Sequence, residues 1–393
     1  DNSFGTHEFL DLCELLGCDP YISANVGSGT VEEMIDWIVY MTSDEDVPMA
    51  NLRRQNGREK PWNVKFIGIG NESWGCGGEM TPEHYTDLMR TFSSYARLYG
   101  PRTMTRVGSG ANSDDYNWTR VLMQNGARFM DALSVHYYTI AGEGWHKKSS
   151  ATDFGEELYF RGIRQGLKMD ELVSRHSTIM DQYDRQKRIP LYVDEWGIWT
   201  DVEPGTNPGF LFQQNSLRDA LIAAVSFDIL NRHCERVQMA NIAQTVNVLQ
   251  AMILTEGDKM VKTPTYHAFE LYKGHKGALL LPSRISAETY TFGGESIPAI
   301  SGTVSLADDG SMFLTVSNVN PNKSLRLDVE LFGKEFKEAA NARVLTAPRV
   351  NSINSFDQPE TVKPAAFSAY KKTGARSLQI DLPAKSLVSM RLK

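Results

Sequence analysis

Two glutamates, Glu72 and Glu195, each stand at the end of a strand-like run. Glu72 closes the run KFIGIGNE at residues 65–72, and Glu195 ends the apolar part of the run PLYVDEWG at residues 190–197. Both runs are apolar enough to be buried strands, and buried strands seldom end in acids without a reason. Two carboxylates at the ends of parallel strands are the minimum needed for glycoside hydrolysis, one as acid/base and the other as nucleophile or base.

The pair is more informative than either glutamate alone. A single glutamate after a strand often begins a helix, where it interacts favourably with the helix dipole. Two glutamates at corresponding positions, each beside polar and aromatic residues, favour a catalytic pair. An acid must be protonated, so we expect burial and the neighbouring carboxylate to raise the pKa of Glu72. Glu195 would be the ionised partner, oriented by His136 or Tyr138.

Strand-like and helix-like stretches alternate up to about residue 277. The strands are expected near residues 21, 64, 105, 132, 191 and 237, whereas the polar stretch 42–61 resembles a long loop. Alternation of this kind predicts a parallel sheet. An eight-stranded (β/α) barrel needs two further strands, and an open doubly wound sheet needs none, so the strand count leaves both folds open.

After about residue 279 the pattern changes to short alternating runs separated by turns such as 308–310 and 320–322. Such spacing is typical of an antiparallel β-sandwich. We therefore predict two domains, an α/β catalytic domain at residues 1–277 and a C-terminal β-sandwich at residues 278–393.

Further candidates come from the carboxyl ends of the strands, where (β/α) barrels carry their functional groups. Most of these ends offer a group that can hydrogen-bond a hydroxyl, and tryptophans in the adjoining loops offer ring faces to a sugar. The substrate-binding candidates are Asn71, Trp74, His136, Tyr138, Trp196 and Gln244, with Trp145 and Trp199 in the same loops. Asn71 can bond the sugar's 2-hydroxyl. For His136, the alternative is a histidine that is hydrogen-bonded in the core.

Composition narrows the choice of partners. The formal net charge of −7 argues against nucleic acid or an anionic membrane as a partner. No apolar run approaches the roughly 18 residues that a membrane span needs.

The four cysteines lack the paired spacing of a zinc site or a disulfide framework, so we expect neither. We expect buried thiols instead, and Cys13 and Cys234 fit this expectation best. Gly68 and Gly70 lack the third glycine of a dinucleotide loop. The sequence is compatible with a cytoplasmic location and with a periplasmic or extracellular one.

The segment FIGIGNESWGCGG at residues 66–78 resembles the acid/base segment of family 51 glycoside hydrolases, the α-L-arabinofuranosidases. Five further segments resemble that family's motifs in the same order, at residues 4–9, 25–30, 134–138, 193–196 and 241–248. The resemblance implies a (β/α)8 TIM barrel with a jelly-roll-like sandwich. It also implies retention of configuration and release of terminal arabinofuranose from arabinoxylan, arabinan or derived oligosaccharides.

The resemblance gives the candidate residues separate roles. Glu72 would be the acid/base and Glu195 the nucleophile, while Asn71 would bind the 2-hydroxyl and Tyr138 and Gln244 would line the arabinose pocket. The family is usually oligomeric, often hexameric, and needs no metal or cofactor.

One departure from the family concerns the segment before residues 3–6. Family members carry their first two barrel strands there, including a glutamate and other sugar-binding residues. Both the strand count and the resemblance therefore predict that the first strands are missing from this chain and belong to a further segment or chain. We expect little activity from this chain without them.

Two other functions remain open from the sequence. One is an endo-acting β-glucanase or xylanase on the same scaffold, which would have an open groove instead of a closed pocket. The other is a non-catalytic carbohydrate-binding protein on a decayed barrel, although the presence of both glutamates argues against it.

Overall fold

The computed structural model describes residues 3–97 and 103–393. Within it the chain divides into two compact units. The first unit contains the described residues up to His136, Leu172–Asp194 and Arg236–Met239. The second contains Tyr137–Glu171, Glu195–Glu235 and Ala240–Lys393.

Six strands follow one another in a single sheet, and all six were predicted from the sequence. They are β1 Tyr21–Ala24, β2 Phe66–Ile69, β3 Thr105–Asn112, β4 Ala132–Thr139, β5 Leu191–Ile198 and β6 Val237–Ile242. Their order in the sheet is their order in the chain, and β1 to β4 pair in parallel. A doubly wound sheet reverses its strand order at a switch point, whereas a (β/α) barrel does not. The unbroken order therefore indicates a curled, barrel-type sheet.

Nine helices lie among the described residues. They are α1 Thr6–Leu16, α2 Val31–Thr42, α3 Pro48–Gln55, α4 Pro82–Tyr95, α5 Tyr116–Gly126, α6 Glu156–Leu167, α7 Met169–Tyr183, α8 Leu217–Arg232 and α9 Pro264–Tyr272. The capping box predicted for α2 is present, since Glu33 N donates to Thr30 Oγ1 at 3.1 Å and Thr30 N donates to Glu33 Oε2 at 2.7 Å. None of these helices has the length and apolar character needed to cross a bilayer.

Helix α8 begins later than predicted. The sequence suggested a helix from residue 211, but the helix starts at Leu217 because Ser216 is its N-cap. Ser216 N donates to Asp219 Oδ2 at 2.7 Å, which completes a second capping box. Nearly the whole circumference of α8 is buried, as expected for a helix packed on several sides.

The stretch 42–61 is not a long loop, because it contains α3. This helix begins with a proline at its first position and is held by Arg53, which is fully buried. The guanidinium donates to the carbonyl oxygens of Tyr40 at 2.9 Å, Ser43 at 2.7 Å, Glu59 at 3.0 Å and, through Nε, Arg58 at 3.2 Å. Arg53 thereby joins the end of α2, the turn after it and the segment after α3.

Replacing Arg53 with methionine should lower the free energy of unfolding by about 3–5 kcal/mol. The reason is that several enclosed carbonyl oxygens lose their donor, at about 1–3 kcal/mol each when fully desolvated. Urea denaturation of the variant and wild type measures the change. Arg284→Met is the matched control, since Arg284 is exposed and its loss should change stability by less than about 0.5 kcal/mol. An Arg53→Met variant as stable as the control would contradict this role.

The second unit contains the antiparallel part of the chain. Its strands are β7 Ile253–Glu256, β8 Lys259–Lys262, β9 Leu279–Leu280, β10 Thr289–Phe292, β11 Glu295–Pro298, β12 Ile300–Leu306, β13 Met312–Asn318, β14 Leu325–Glu330, β15 Ala339–Leu345, β16 Ala365–Ala366, β17 Tyr370–Lys372, β18 Ser377–Leu382 and β19 Ser386–Leu392. One sheet has the order β16-β15-β19-β13-β12-β9 and another β14-β18-β17, with hairpins β7–β8 and β10–β11.

These sheets confirm the predicted antiparallel C-terminal region, although the hairpin β7–β8 was not predicted. Helices α8 and α9 pack against the larger sheet within the same unit. Buried Asp228 on α8 accepts hydrogen bonds from Tyr272 on α9 at 2.9 Å and from Thr303 on β12 at 2.7 Å. The domain division at residue 277 stays a prediction.

Candidate active site

Glu72 lies in the first unit, in the loop that connects β2 to α4, and its backbone is left-handed with φ +44°. This conformation is uncommon outside glycine and typically occurs where the surrounding structure enforces it. The loop turns back on itself, since Gly75 N and Gly77 N both donate to Glu72 O, at 2.8 and 3.0 Å. A Cβ at residue 77 would lie 1.9 Å from Asn71 O, so only glycine fits there. The glycine-rich sequence after Glu72 thus fixes how its carboxyl group is presented.

A chain of polar contacts in the first unit leads to the Glu72 carboxyl group. Glu72 Oε1 lies 2.9 Å from His136 Nδ1, and the Cys76 thiol donates to Glu72 Oε2 at 3.3 Å. On the other side of the ring, His136 Nε2 lies 3.2 Å from Asp194 Oδ1. Tyr21 OH donates to Asp194 Oδ2 at 2.9 Å. Both ring nitrogens of His136 thus face a carboxylate oxygen, one of Glu72 and one of Asp194.

These contacts set the pKa of Glu72 in the direction opposite to the one expected from sequence. Burial is the largest single influence and raises the pKa. The hydrogen bond and charge of His136, together with the Cys76 thiol, outweigh it and hold the pKa below the ordinary value of a glutamate. The expectation of a raised pKa was wrong because it placed His136 beside Glu195 and not beside Glu72.

Asn71 and Trp74 flank Glu72 in the same loop. Asn71 is exposed, and its side-chain amide makes no hydrogen bond within the part of the chain that is described. Trp74 Nε1 donates to Gly110 O at 3.1 Å, and its ring meets that of His136 edge-on, with centroids 6.4 Å apart. Trp74 thus lies beside the imidazole that contacts Glu72.

Glu195 lies in the second unit and is the residue directly after Asp194 on β5. Tyr138, on β4, donates its hydroxyl to Glu195 Oε2 at 2.8 Å, as predicted. The Tyr138 ring meets the Trp199 ring at 4.8 Å between centroids, and Trp199 meets Trp145 at 4.6 Å. Glu195 therefore has a hydroxyl donor on one carboxylate oxygen and aromatic rings beyond that donor.

Gln244 follows β6 in the second unit. Its side chain is exposed, and the peptide bond that precedes it, from Ala243, is cis. Ala243 N donates to Trp196 O at 3.1 Å, which ties the end of β6 to β5. Gln244 therefore follows directly on Ala243, and Ala243 is hydrogen-bonded to Trp196, the residue after Glu195.

Trp196 is not a sugar-binding residue, contrary to the prediction. Its side chain is 0% exposed. The ring stacks on Phe269 at 6.2 Å and meets Phe227 edge-on at 5.3 Å, so its faces belong to the core of the second unit. Trp199, three residues further on, is the partly exposed tryptophan of this segment.

Sequence analysis missed the parts played by Tyr21 and Asp194. Tyr21 begins β1, whereas the search considered only strand ends. Asp194 was noted at a strand end but received no role, although its position directly before Glu195 was a usable signal. The Cys76 thiol, which received no role from the sequence, also contacts Glu72. Cys13 is buried as expected, whereas Cys234 is exposed, contrary to expectation.

Comparison with known proteins decides the family. A family model described as "Alpha-L-arabinofuranosidase C-terminal domain" matches residues 194–386, and one described as "Alpha-L-arabinofuranosidase 1 domain" matches residues 1–153. A Bacteroides ovatus protein described as an "Intracellular exo-alpha-L-arabinofuranosidase" is 48% identical over the whole of this chain, which covers 76% of that protein. The chain belongs to the α-L-arabinofuranosidases of glycoside hydrolase family 51.

Solved structures agree with this assignment. The family 51 arabinofuranosidase from Xanthomonas axonopodis pv. citri superposes with a TM-score of 0.97 at 45% identity, over 100% of this chain and 79% of that one. The Thermotoga maritima α-L-arabinofuranosidase, solved as an arabinose complex, gives a TM-score of 0.84 at 27% identity, over 99% and 79%. The family resemblance and the TIM-barrel fold class expected from sequence are confirmed, and the protein is a glycoside hydrolase.

Proposed function

We propose that the protein is a retaining exo-α-L-arabinofuranosidase, which releases terminal arabinofuranose from arabinoxylan, arabinan or oligosaccharides derived from them. The observation that carries this proposal is the different environment of the two glutamates in a family 51 chain. Glu72 contacts an imidazole and a thiol, whereas Glu195 accepts a hydrogen bond from a tyrosine hydroxyl. The description of the Bacteroides ovatus relative as an exo-acting enzyme supports the same reaction.

In the first step, a Glu195 oxygen attacks the anomeric carbon of the arabinofuranosyl unit while the bond to the leaving oxygen breaks. Glu72 gives its proton to that oxygen, and an ester between arabinose and Glu195 remains. In the second step, Glu72 takes a proton from water, whose oxygen attacks the same carbon and releases Glu195 as a carboxylate. Two inversions at one carbon give net retention.

The contacts of each glutamate suit these roles. Tyr138 donates its hydroxyl to Glu195 Oε2 and so orients the carboxylate. The lowered pKa of Glu72 makes its carboxyl group a stronger proton donor to the leaving oxygen in the first step. We expect the two carboxyl groups to lie about 5–5.5 Å apart, as retaining enzymes require. A separation near 9 Å in a crystal structure would contradict retention.

The remaining candidates receive roles in binding. Asn71 would hydrogen-bond the 2-hydroxyl, an interaction that strengthens in the transition state. Tyr138 and Gln244 would line the pocket for arabinose, and Trp74 would bound it beside His136. That the enzyme needs no metal or cofactor stays a prediction. Assembly into a homo-oligomer of up to six copies is also a prediction, which light scattering of the full-length protein tests.

The proposal is tested with the full-length polypeptide and an aryl α-L-arabinofuranoside, with the first product followed by proton NMR. We expect the α-anomer of arabinose to form first and the β-anomer only by later mutarotation. On arabinan and arabinoxylan, free arabinose should be released without shortening of the backbone. First formation of the β-anomer would exclude retention. Oligosaccharide products without arabinose would favour the endo-acting alternative, and binding without turnover the non-catalytic one.

His136 should control the alkaline limb of the pH–activity profile. Glu72 must be protonated in the first step, so kcat/KM falls as the pH rises through its pKa. His136 lowers that pKa, while burial alone would raise it. A His136→Asn variant should therefore be less active overall, with its alkaline limb at higher pH than in wild type. The measurement is kcat/KM against pH on an aryl arabinofuranoside with a poor leaving group.

His84→Asn is the matched control for this profile, because His84 is an exposed histidine on α4. Its profile should overlay that of the wild type. An alkaline limb that stays in place or moves to lower pH in His136→Asn would show that His136 does not depress the pKa of Glu72.

A further inference from the structure

Three side chains of the second unit, Trp145, Lys148 and Trp199, form a cluster that we call the tryptophan–lysine platform. The two indole rings meet at 4.6 Å between centroids, with an interplanar angle of 69°. The Lys148 ammonium lies over both, 5.0 Å from the Trp145 ring and 5.4 Å from the Trp199 ring. Trp145 is 51% exposed, which is unusual for so large an apolar side chain. The cluster therefore presents an aromatic face and a positive charge to solvent.

The backbone holds the platform in place. Gly142 N donates to Lys148 O at 2.8 Å and Glu143 N donates to Lys147 O at 2.9 Å, so the loop after β4 closes on itself. The Asp201 carboxylate accepts the backbone N–H groups of Lys148 and Ser149, both at 3.1 Å. Because Asp201 lies two residues after Trp199, it ties the two segments of the platform together. A ligand would thus meet a preorganised surface.

Lys148 differs from its neighbour in how its charge is balanced. The Lys147 ammonium donates to Glu143 Oε1 at 2.6 Å and is neutralised within the loop. Lys148 is partly buried, and within the described part of the chain its ammonium has no carboxylate partner; it contacts only the two rings. A cation between aromatic faces is partly desolvated, which strengthens its attraction to an incoming anion.

The platform is connected to the proposed nucleophile by successive contacts in the same unit. Glu195 accepts from Tyr138 at 2.8 Å, Tyr138 meets Trp199 at 4.8 Å, and Trp199 meets Trp145. The Trp199 ring of the platform directly contacts Tyr138, the tyrosine that would line the arabinose pocket. A substrate held by Glu195 therefore reaches the platform with the sugar residues that follow the arabinofuranosyl unit.

We propose that the platform binds the leaving-group side of the substrate and that Lys148 makes it selective for a carboxylate there, as in a uronic acid residue near the arabinofuranosyl branch. The two indole rings stack on sugar faces, and the ammonium pairs with the carboxylate. This inference rests on the proposed arabinofuranosidase activity and adds the chemical class of the leaving group.

The test uses a matched pair of arabinofuranosylated oligosaccharides, one with a uronic acid and one with that carboxyl group reduced to the alcohol. The readout is the ratio of kcat/KM for the acidic over the reduced substrate at low ionic strength. We expect a ratio of about ten for the wild type, in the range of one charge-assisted hydrogen bond. The ratio should fall as salt is added, because the pair is partly exposed.

Four variants separate charge from stacking. Lys148→Gln should bring the ratio close to one, and Lys148→Glu below one. Lys147→Gln, the matched control, should keep the wild-type ratio because Lys147 is already paired with Glu143. Trp145→Ala should raise KM for both oligosaccharides and leave the ratio largely unchanged.

The outcomes also separate this inference from the proposed function. The selectivity is overturned if the enzyme hydrolyses an aryl arabinofuranoside but the ratio for the two oligosaccharides is near one in the wild type or unchanged in Lys148→Gln. The arabinofuranosidase assignment would then stay in place. Absence of arabinose release from every substrate by the full-length enzyme overturns both.

Discussion

An enzyme in which Glu195 is replaced by alanine should lose at least about 10⁴-fold in kcat on aryl α-L-arabinofuranosides, the size of effect seen when a catalytic nucleophile is removed. Azide should restore part of the rate, because a small anion fits the space left by the carboxylate. It would attack from the side of the missing nucleophile in a single displacement. The product should therefore be the β-arabinofuranosyl azide, with inverted configuration.

The loss is measured by initial rates and the azide product by NMR. Glu157→Ala is the matched control, since Glu157 is an exposed glutamate on α6 that pairs with Arg161. Its kcat should equal that of the wild type. A Glu195→Ala enzyme that keeps more than about 1% of the rate, or gives azide product of retained configuration, would rule out Glu195 as the nucleophile.

Replacing Glu72 with alanine should have an effect that depends on the leaving group. For oligosaccharides, whose leaving oxygen needs a proton, kcat/KM should fall by about 10²–10⁴-fold, the usual contribution of general acid catalysis. For a dinitrophenyl arabinofuranoside, which leaves without protonation, kcat/KM should change little. Hydrolysis of the ester on Glu195 then becomes limiting, because no base activates water.

Azide distinguishes this variant from the previous one. In Glu72→Ala it should attack the ester on Glu195 and give the α-arabinofuranosyl azide, with retained configuration. Glu83→Ala, an exposed glutamate in the first turn of α4, is the control and should behave as wild type. An equal loss of kcat/KM for good and poor leaving groups would be incompatible with Glu72 as the acid.

The strands were predictable because each buried strand of the sheet is a short apolar run bounded by polar residues or glycine. Helix α3 was not predictable in the same way. Its sequence, PMANLRRQ, is polar, and what holds it is the tertiary network of buried Arg53. The late start of α8 could have been found, since Ser216 and Asp219 have the spacing of a capping box.

The candidate residues were chosen from sequence because parallel strands bring their carboxyl ends to one edge of a sheet. The error at Trp196 was avoidable. Glu195 and Trp196 are consecutive on β5, so their side chains point to opposite faces, and a glutamate facing the site places the tryptophan in the core. The partner of His136 could not be predicted, because it depends on ring orientation between β4 and the loop after β2. The direction of the Glu72 pKa depends on that same orientation.

Strand β4 carries the partners of both glutamates, since His136 contacts Glu72 and Tyr138 contacts Glu195. The two residues are separated by one position and therefore share a face of the strand. Inserting or deleting a single residue between them would turn one of the two side chains to the opposite face. We therefore expect this short stretch to tolerate some substitutions at Tyr137 but no change of length, because a change of length would leave one of the two glutamates without its partner on β4.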